Sequence, residues 1–502
     1  HGEESTRPEQ HFESRKTRIV KTLVIDVGTS GLRSSLVHSD GSVSDLHYEE
    51  FSPSSPAGGL VEFDALALYD AVKRVCNATL ASHSADAVGI TNQRASTIVW
   101  NATTGIPVSP AIGWQDLRTV GECIMARIEH GFALAPNQSV TKLSWILKNS
   151  AAGLNVADLR FGTVETWLVW KLTNGAHHVT DHTNAAVTGL TVASGTEWNS
   201  AVLSAFDIPQ SCLPTIVPSS GHIGNATDLP GAPPIMALAG DQQASLVGQG
   251  CIESGLAKIT FGTGGMLDMF TGYDMPTQAR RNTHGTFPIV AFSDATQIAY
   301  GTEGIMLSAG TNIEWLRDDM ELINSPQESH DIASTCASTD GVVFVPALLG
   351  LGTPHWDYGA RGALFGITRG TTRAHIVRAV LEGVAHRGAD LVDAAEADSG
   401  VAISEVRIDG GMSRNPTFVQ ALADATGRPV RVSQMTEATT LGAGFLAGTA
   451  AGQWSHLSQA CATLNWAATV HPLGEPGVSR QQWSEAVSRS RSWIPDLSAL
   501  DF

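Results

Sequence analysis

Long apolar runs are missing from this 502-residue chain, and so is a surplus of basic residues. No apolar run approaches the length of a membrane span, which excludes a helical membrane anchor as the expected mode of action. Lys and Arg number 31 against 49 Asp and Glu, a net charge of −18. A nucleic-acid surface would be basic, so that class of partner is not expected. Cysteine is sparse, and Cys76, Cys123, Cys212, Cys251, Cys336 and Cys461 stand too far apart for a metal knuckle or a redox pair. Such usage suits a reducing cytoplasm. The first residues, His1 to Arg18, lack the apolar core of a signal peptide and are expected to form a disordered tail. Several signatures are absent as well. There is no Walker-type Gly-Lys-Ser/Thr loop, no protein-kinase set, no zinc-protease helix and no Gly-x-Ser-x-Gly elbow.

What is present is a globular composition, 42% hydrophobic and 16% charged, in a chain too long for one core. Two large domains are expected, residues 19–250 and 251–502, divided at the Gly-rich stretch Gly248 to Gly255. Each half opens with the same device. Gly28-Thr29-Ser30-Gly31 lies between the strand-like runs Leu23 to Asp26 and Leu32 to Val37. Gly262-Thr263-Gly264-Gly265 lies between Ala257 to Phe261 and Met266 to Phe270. Both read as β-hairpins with Gly/Thr/Ser tips. Such tips let a backbone approach phosphate oxygens and offer N–H groups and hydroxyls to them. One copy alone equally describes an ordinary tight turn. Two copies opening two halves suggest a grip on a nucleotide triphosphate.

Between the hairpins, strands and helices alternate, which indicates an α/β protein. Helices are expected from Asp64 to about Ser82, Ser139 to Asn149, Thr372 to about Ala395 and Thr440 to Ala451. The last is rich in Gly and Ala, which suggests close helix packing. Short strands are expected at Ala87 to Thr91, Ile235 to Ala239 and Glu405 to Ile408.

Candidate chemistry gathers at strand ends. Asp241 follows Ala239-Gly240, where a carboxylate could take the proton of an attacking hydroxyl, and where a helix-capping Asp would also stand. Asp26 ends a strand beside the first tip and suits Mg²⁺, or a turn hydrogen bond. Arg33 could meet a phosphate or be a solvated strand residue. Asp409-Gly410-Gly411 with Asn415 offers bare backbone for a purine, or is a plain strand–turn–helix. Trp114 and Arg94 are candidate walls of a polyol or sugar site.

Together these segments resemble the FGGY family of carbohydrate kinases, most closely its glycerol kinase branch, from about residue 20 to 453. The most specific stretch is Gly362-Ala363-Leu364-Phe365-Gly366-Ile367 with His375-Ile376 and Ala379-Val380-Leu381-Glu382. Lys142-Leu143-Ser144-Trp145-Ile146, Gly89 to Arg94, Trp114-Gln115-Asp116, Val179 to Asn184 and Gly240 to Gln243 add to it. The resemblance implies two ribonuclease-H-like domains of the actin and hexokinase type flanking a central cleft. It implies ATP and Mg²⁺, with Asp241 as general base and Asp26 as the Mg²⁺-associated carboxylate. Thr29, Ser30, Arg33 and Thr263 would contact phosphates. Gly310, Gly411 and Asn415 would line the nucleotide, with Glu314 where glycerol kinases commonly have Gln. Arg94, Trp114, Asp241 and Gln242 would bind the acceptor. Ala95, Asn137 and Met266 depart from the Glu, Tyr and Phe of glycerol kinases, which implies a roomier pocket. The expected partners are a small polyol or sugar and a second copy of the chain in a homodimer.

Overall fold

In the computed structural model, which describes residues 20–500 apart from 278, 279, 436 and 476, two sheets organise the chain. The expected tail lies outside the described residues. The first sheet uses β1 (Thr22–Val27), β2 (Gly31–Val37), β3 (Val43–Glu50), β4 (Ala87–Asn92), β5 (Ser220–Asn225) and β6 (Pro234–Gly240), in the order β5-β6-β4-β1-β2-β3. The second uses β7 (Leu256–Phe261), β8 (Gly265–Gly272), β9 (Phe287–Ser293), β10 (Ile298–Met306), β11 (Glu405–Asp409), β12 (Val430–Ser433) and β13 (Trp466–Val470). Its order is β9-β10-β8-β7-β11-β12-β13.

The two sheets repeat one plan. An antiparallel part, β1-β2-β3 in the first and β7-β8-β10-β9 in the second, is joined to two parallel strands: β4 beside β1 and β6 beside β4 in the first, β11 beside β7 and β12 beside β11 in the second. The parallel strands are nearly continuous apolar runs because both of their faces are covered, as in β4 and β6. This is a two-domain α/β fold of the ribonuclease-H-like type.

Helix α1 (Ala65–Leu80) begins one residue later than expected, because the Asp64 side chain accepts from the N–H groups of Leu66 and Ala67 and so acts as its cap. Helix α2 spans Ser139–Asn149 as its apolar spacing predicts. Helix α3 (Asp241–Gly248) follows β6 directly, α4 (Arg373–Ser399) continues a turn beyond Ala395 to a left-handed Gly400, and α5 (Pro416–Thr426) is capped by Asn415.

Helix α6 (Ala438–Ala450) comes from the second half of the chain but packs on the first sheet and against α3. Its glycines permit this. A Cβ on Gly442 would sit 1.7 Å from the Ala244 carbonyl oxygen, and one on Gly248 would sit 1.8 Å from that of Ala438. Helix α3 in turn touches β7, β8 and β9 of the second sheet. The helix that starts at Asp241 is therefore wedged between the two halves.

Candidate active site

The hairpin tips come first, because local chain chemistry sets them. In the first, Gly28 N–H donates to the Gly31 carbonyl at 2.9 Å. The Gln93 backbone N–H donates to Val27 at 2.7 Å and its side chain to the Gly28 carbonyl at 3.2 Å, so the end of β4 buttresses the tip. The indole Nε1 of Trp114 donates to Thr29 Oγ1 at 3.1 Å. Ser30 is exposed. In the second tip, the N–H groups of Gly310 and Ala309 donate to the carbonyls of Gly262 and Thr263 at 2.8 and 2.9 Å. Gly310 must be glycine, since a Cβ there would lie 2.6 Å from the Gly262 oxygen. Glu314 is exposed in the short helix that follows.

Further along the second sheet, Gly410 adopts φ +86° with no room for a side chain against Phe261, while a Cβ on Gly411 would meet open space. Asn415 caps α5 by accepting from Phe418 N–H at 3.1 Å and donates to Ser329 Oγ at 2.9 Å.

Asp26 is the penultimate residue of β1, opposite Arg33 in register. Its carboxylate accepts from Thr440 Oγ1 of α6 at 3.3 Å and lies 3.5 Å from Arg33 Nε. Burial pushes its pKa up to about 6, with Arg33 pulling it back and Asp241 adding to the rise. Arg33, expected on phosphate, here pairs with Asp26 and with Glu437.

Asp241 is the first residue of α3. Its Oδ1 accepts from the Gln242 N–H at 2.8 Å and lies 3.4 Å from Arg94 Nε. Its side chain is 28% exposed, so it faces space a substrate can reach. Burial of the rest raises its pKa above the usual carboxylate range, with Arg94 opposing the rise. Gly240 makes the approach possible, because a Cβ there would stand 2.7 Å from Arg94 Cδ. Its N–H is held by Thr183 Oγ1 at 2.9 Å.

The strand end expected to carry Arg94 also carries buried support. Asn92 donates to Glu165, whose other oxygen accepts from Thr163, Thr166 and Thr180. Burial pushes Glu165 up to about 7. Lys142, from the Lys142 to Ile146 motif, is fully buried. It donates to the carbonyls of Gly113 and Trp114, both at 2.9 Å, and so fixes the loop that carries the indole.

The three departing positions do not gather equally. Ala95 is 5% exposed, adopts φ +61° and presents its carbonyl to Ser139 Oγ at 2.9 Å. Met266 is half-buried at the base of the second tip, opposite Thr260 and Ile305. Asn137 is exposed on the turn before α2 and shares no hydrogen bond with the cluster.

Sequence reasoning missed three residues of the cluster. Lys258, Asp268 and Glu303 lie within strands of the second half; Lys258 meets Gln242 and Glu303 meets Arg94 of the first, while Asp268 pairs with Lys258. The available signal was a charge inside each of two otherwise apolar strands, Ala257 to Phe261 and Leu267 to Phe270. Two surface cavities of the second half, of about 420 and 450 Å³, are lined by none of the expected acceptor or nucleotide residues.

Models of the FGGY family of carbohydrate kinases match both halves, its N-terminal domain over residues 21–248 and its C-terminal domain over 257–451. A glycerol kinase of Shewanella oneidensis is 39% identical over 94% of this chain and 99% of its own length. One of Bordetella parapertussis is 40% identical over 94% and 97%. Among solved structures, Plasmodium falciparum glycerol kinase with ADP superposes with a TM-score of 0.86 at 29% identity, covering 94% of this chain and 98% of that one. A ligand-bound xylulose kinase from Lactobacillus acidophilus shares the fold, with a TM-score of 0.82 at 22% identity over 96% and 99%. With both domain models matched and relatives aligned almost end to end, the chain belongs to the FGGY family of carbohydrate kinases and is an ATP-dependent kinase.

Proposed function

We propose that this kinase transfers the γ-phosphoryl group of ATP to a hydroxyl of a polyol longer than glycerol, bound at Arg94, Trp114, Asp241 and Gln242. The observation that carries the reading is the Arg94–Asp241 pair, a cation and a partly exposed carboxylate 3.4 Å apart at the start of the helix between the two sheets. Arg94 fixes hydroxyl oxygens by donating to them. Asp241 accepts the proton of the hydroxyl that attacks phosphorus, and its raised pKa makes it a better base than an ordinary carboxylate. The indole of Trp114 walls the acceptor while its Nε1 ties it to the first phosphate tip, which brings acceptor and phosphate into one frame.

On this reading residues 19–250 supply the acceptor site and base, and 251–502 supply the nucleotide site. Thr29, Ser30 and Thr263 meet phosphate oxygens, and Gly310, Glu314, Gly411 and Asn415 flank the base and ribose. Arg33 joins them by releasing Glu437. Asp26 fits a role in holding Mg²⁺. Its carboxylate is 7% exposed, has one long hydrogen bond and is raised in pKa by burial, the condition a hard cation relieves. Among the described residues no cluster of three metal-ligating side chains exists, so phosphate oxygens and water would complete the shell. The bound cation would neutralise charge on the transferring phosphate. The six cysteines are all free, which suits a cytoplasmic enzyme.

Ala95 and Met266 leave the far end of the pocket wider than Glu and Phe would. A second reading, glycerol itself as acceptor, is favoured by the 39–40% identity to proteins named glycerol kinase. ADP release measured over glycerol, tetritols, pentitols and ketoses separates them. A tetritol or pentitol preferred over glycerol is the expected result. Glycerol preferred over all of them selects the second reading, and stimulation by none rejects both.

A further inference from the structure

A row of charged side chains crosses three neighbouring strands of the second sheet. Lys258 on β7 stands opposite Asp268 on β8, and Asp268 stands opposite Glu303 on β10. Cross-strand partners project from the same face. All three residues are at most 5% exposed. Two like charges side by side repel, and charges buried without partners are costly. Two cations answer them. Lys258 Nζ lies 2.7 Å from Asp268 Oδ2, and Arg94 Nη1, reaching across from the first half, lies 2.7 Å from Glu303 Oε2. Lys258 Nζ also donates to Gln242 Oε1 at 2.6 Å. Each end of the row thus holds one acceptor-side residue of the other domain. Apolar residues would build this interface at no greater cost in stability, so a reason for the charges is needed.

We propose that Glu303 and Lys258 are positioning residues for the acceptor: the second sheet aims the Arg94 guanidinium and the Gln242 amide at the substrate from behind. The inference rests on the acceptor role proposed for Arg94, Asp241 and Gln242. The geometry supplies the mechanism. Arg94 is closer to Glu303, at 2.7 Å, than to Asp241, at 3.4 Å. Glu303 therefore keeps the guanidinium from collapsing onto Asp241, whose Oδ2 stays free for the alcohol proton while Oδ1 holds the Gln242 N–H. Lys258 occupies the carbonyl oxygen of Gln242, which leaves the amide NH₂ to donate to an acceptor hydroxyl. Without either partner the grip loosens, and misplacement on the ångström scale is enough to lose turnover. The basic end of the same row continues to Arg407 on β11, opposite Lys258 in register, whose Nη1 donates to the Gln249 carbonyl at 2.5 Å just past the end of α3.

The test is steady-state kinetics of the full chain with the best polyol, with kcat and KM measured separately for acceptor and ATP. Glu303→Gln is expected to lower kcat/KM for the acceptor by about ten- to a hundredfold, with the KM for ATP within about twofold. Glu303→Asp, which keeps the charge, should restore most of that loss. In an Arg94→Gln background, Glu303→Gln should cost less than about threefold, because its target is gone. An acceptor kcat/KM within twofold of the unmodified protein overturns the proposal. So does an ATP KM that worsens in step, or full additivity with Arg94→Gln. Should Glu303→Gln fail to fold, Lys258→Met carries the test, with a raised acceptor KM and unchanged ATP KM expected and any other pattern overturning it. An unmodified protein without polyol-stimulated ADP release overturns the acceptor reading and this inference with it, whereas normal activity with unaffected variants overturns this inference alone.

Discussion

The two glycine-tipped hairpins read almost alike, yet the molecule supports them differently. The first rests on side chains from distant segments, with Trp114 on Thr29 and Gln93 on Gly28. The second rests on backbone, with the N–H groups of Ala309 and Gly310 on the carbonyls of Thr263 and Gly262. The contrast extends to the regions behind them. Near the first tip stand Arg94 and Asp241, proposed above to bind the acceptor, and the charges Lys258, Asp268 and Glu303 of the second sheet back them from across the two halves. Around the second, the proposed nucleotide site is built from glycines and a helix cap. Backbone turns make a general phosphate cradle, while a hydroxylated acceptor needs directional side chains. Substitutions in the first region should therefore change catalysis and stability steeply, and those in the second more mildly.

The sharpest break is Asp241→Asn. Removing a positioned base should lower kcat by about a hundred- to ten-thousandfold while ATP affinity holds, measured by ADP release and by calorimetric ADP binding. Near-native turnover would remove the base from the acceptor side. Next in size is Arg94→Met, which leaves Glu303 buried beside Asp268 without its cation. A loss of about 3–5 kcal/mol in urea unfolding is expected. Thr263→Ala, on the exposed second tip, should stay within about 0.5 kcal/mol. Equal losses would erase the distinction between the regions.

The triple change Ala95→Glu, Asn137→Tyr and Met266→Phe should shift kcat/KM toward glycerol by about ten- to a hundredfold, the value of a restored hydroxyl–carboxylate contact. No shift would mean that these positions do not define the pocket. Smaller still is Trp114→Phe, which keeps the ring and deletes the bond to Thr29. It should weaken ATP binding by about 1 kcal/mol, and an unchanged ADP affinity by calorimetry would deny the first tip its side-chain support.

The last test uses pH. Burial raises the folded-state pKa of Glu165 from 4.5 to about 7. Between those values the folded protein keeps a proton the unfolded chain has lost, so this group's contribution is full below pH 4.5 and fades as pH rises through 7. Glu165→Gln does not titrate. The Tm of the variant should therefore gain on that of the unmodified protein between pH 5 and pH 8, and a gap that stays constant would show that burial does not raise this group.

How much of this was legible depends on how far apart the partners lie along the chain. The hairpins, the cap at Asp64, helix α2 and the strand-to-helix step at Asp241 are local, and residues a few positions apart determine them through turn chemistry, apolar spacing and capping. The glycines of α6 announced close packing. That the partner would be α3, and that α6 would cross to the first sheet, was not written locally. The family and its ATP chemistry were legible for the same reason, since their motifs are short and contiguous.

Only the tertiary structure decided that Arg94 answers Glu303, that Lys258 holds Gln242, and that Asn137 lies exposed on its turn. Single charges within apolar strands announced that something must neutralise them, because burial forbids a lone charge. Which residue does so depends on strand register and on the apposition of two sheets, and neither is encoded within the few residues that surround each charge.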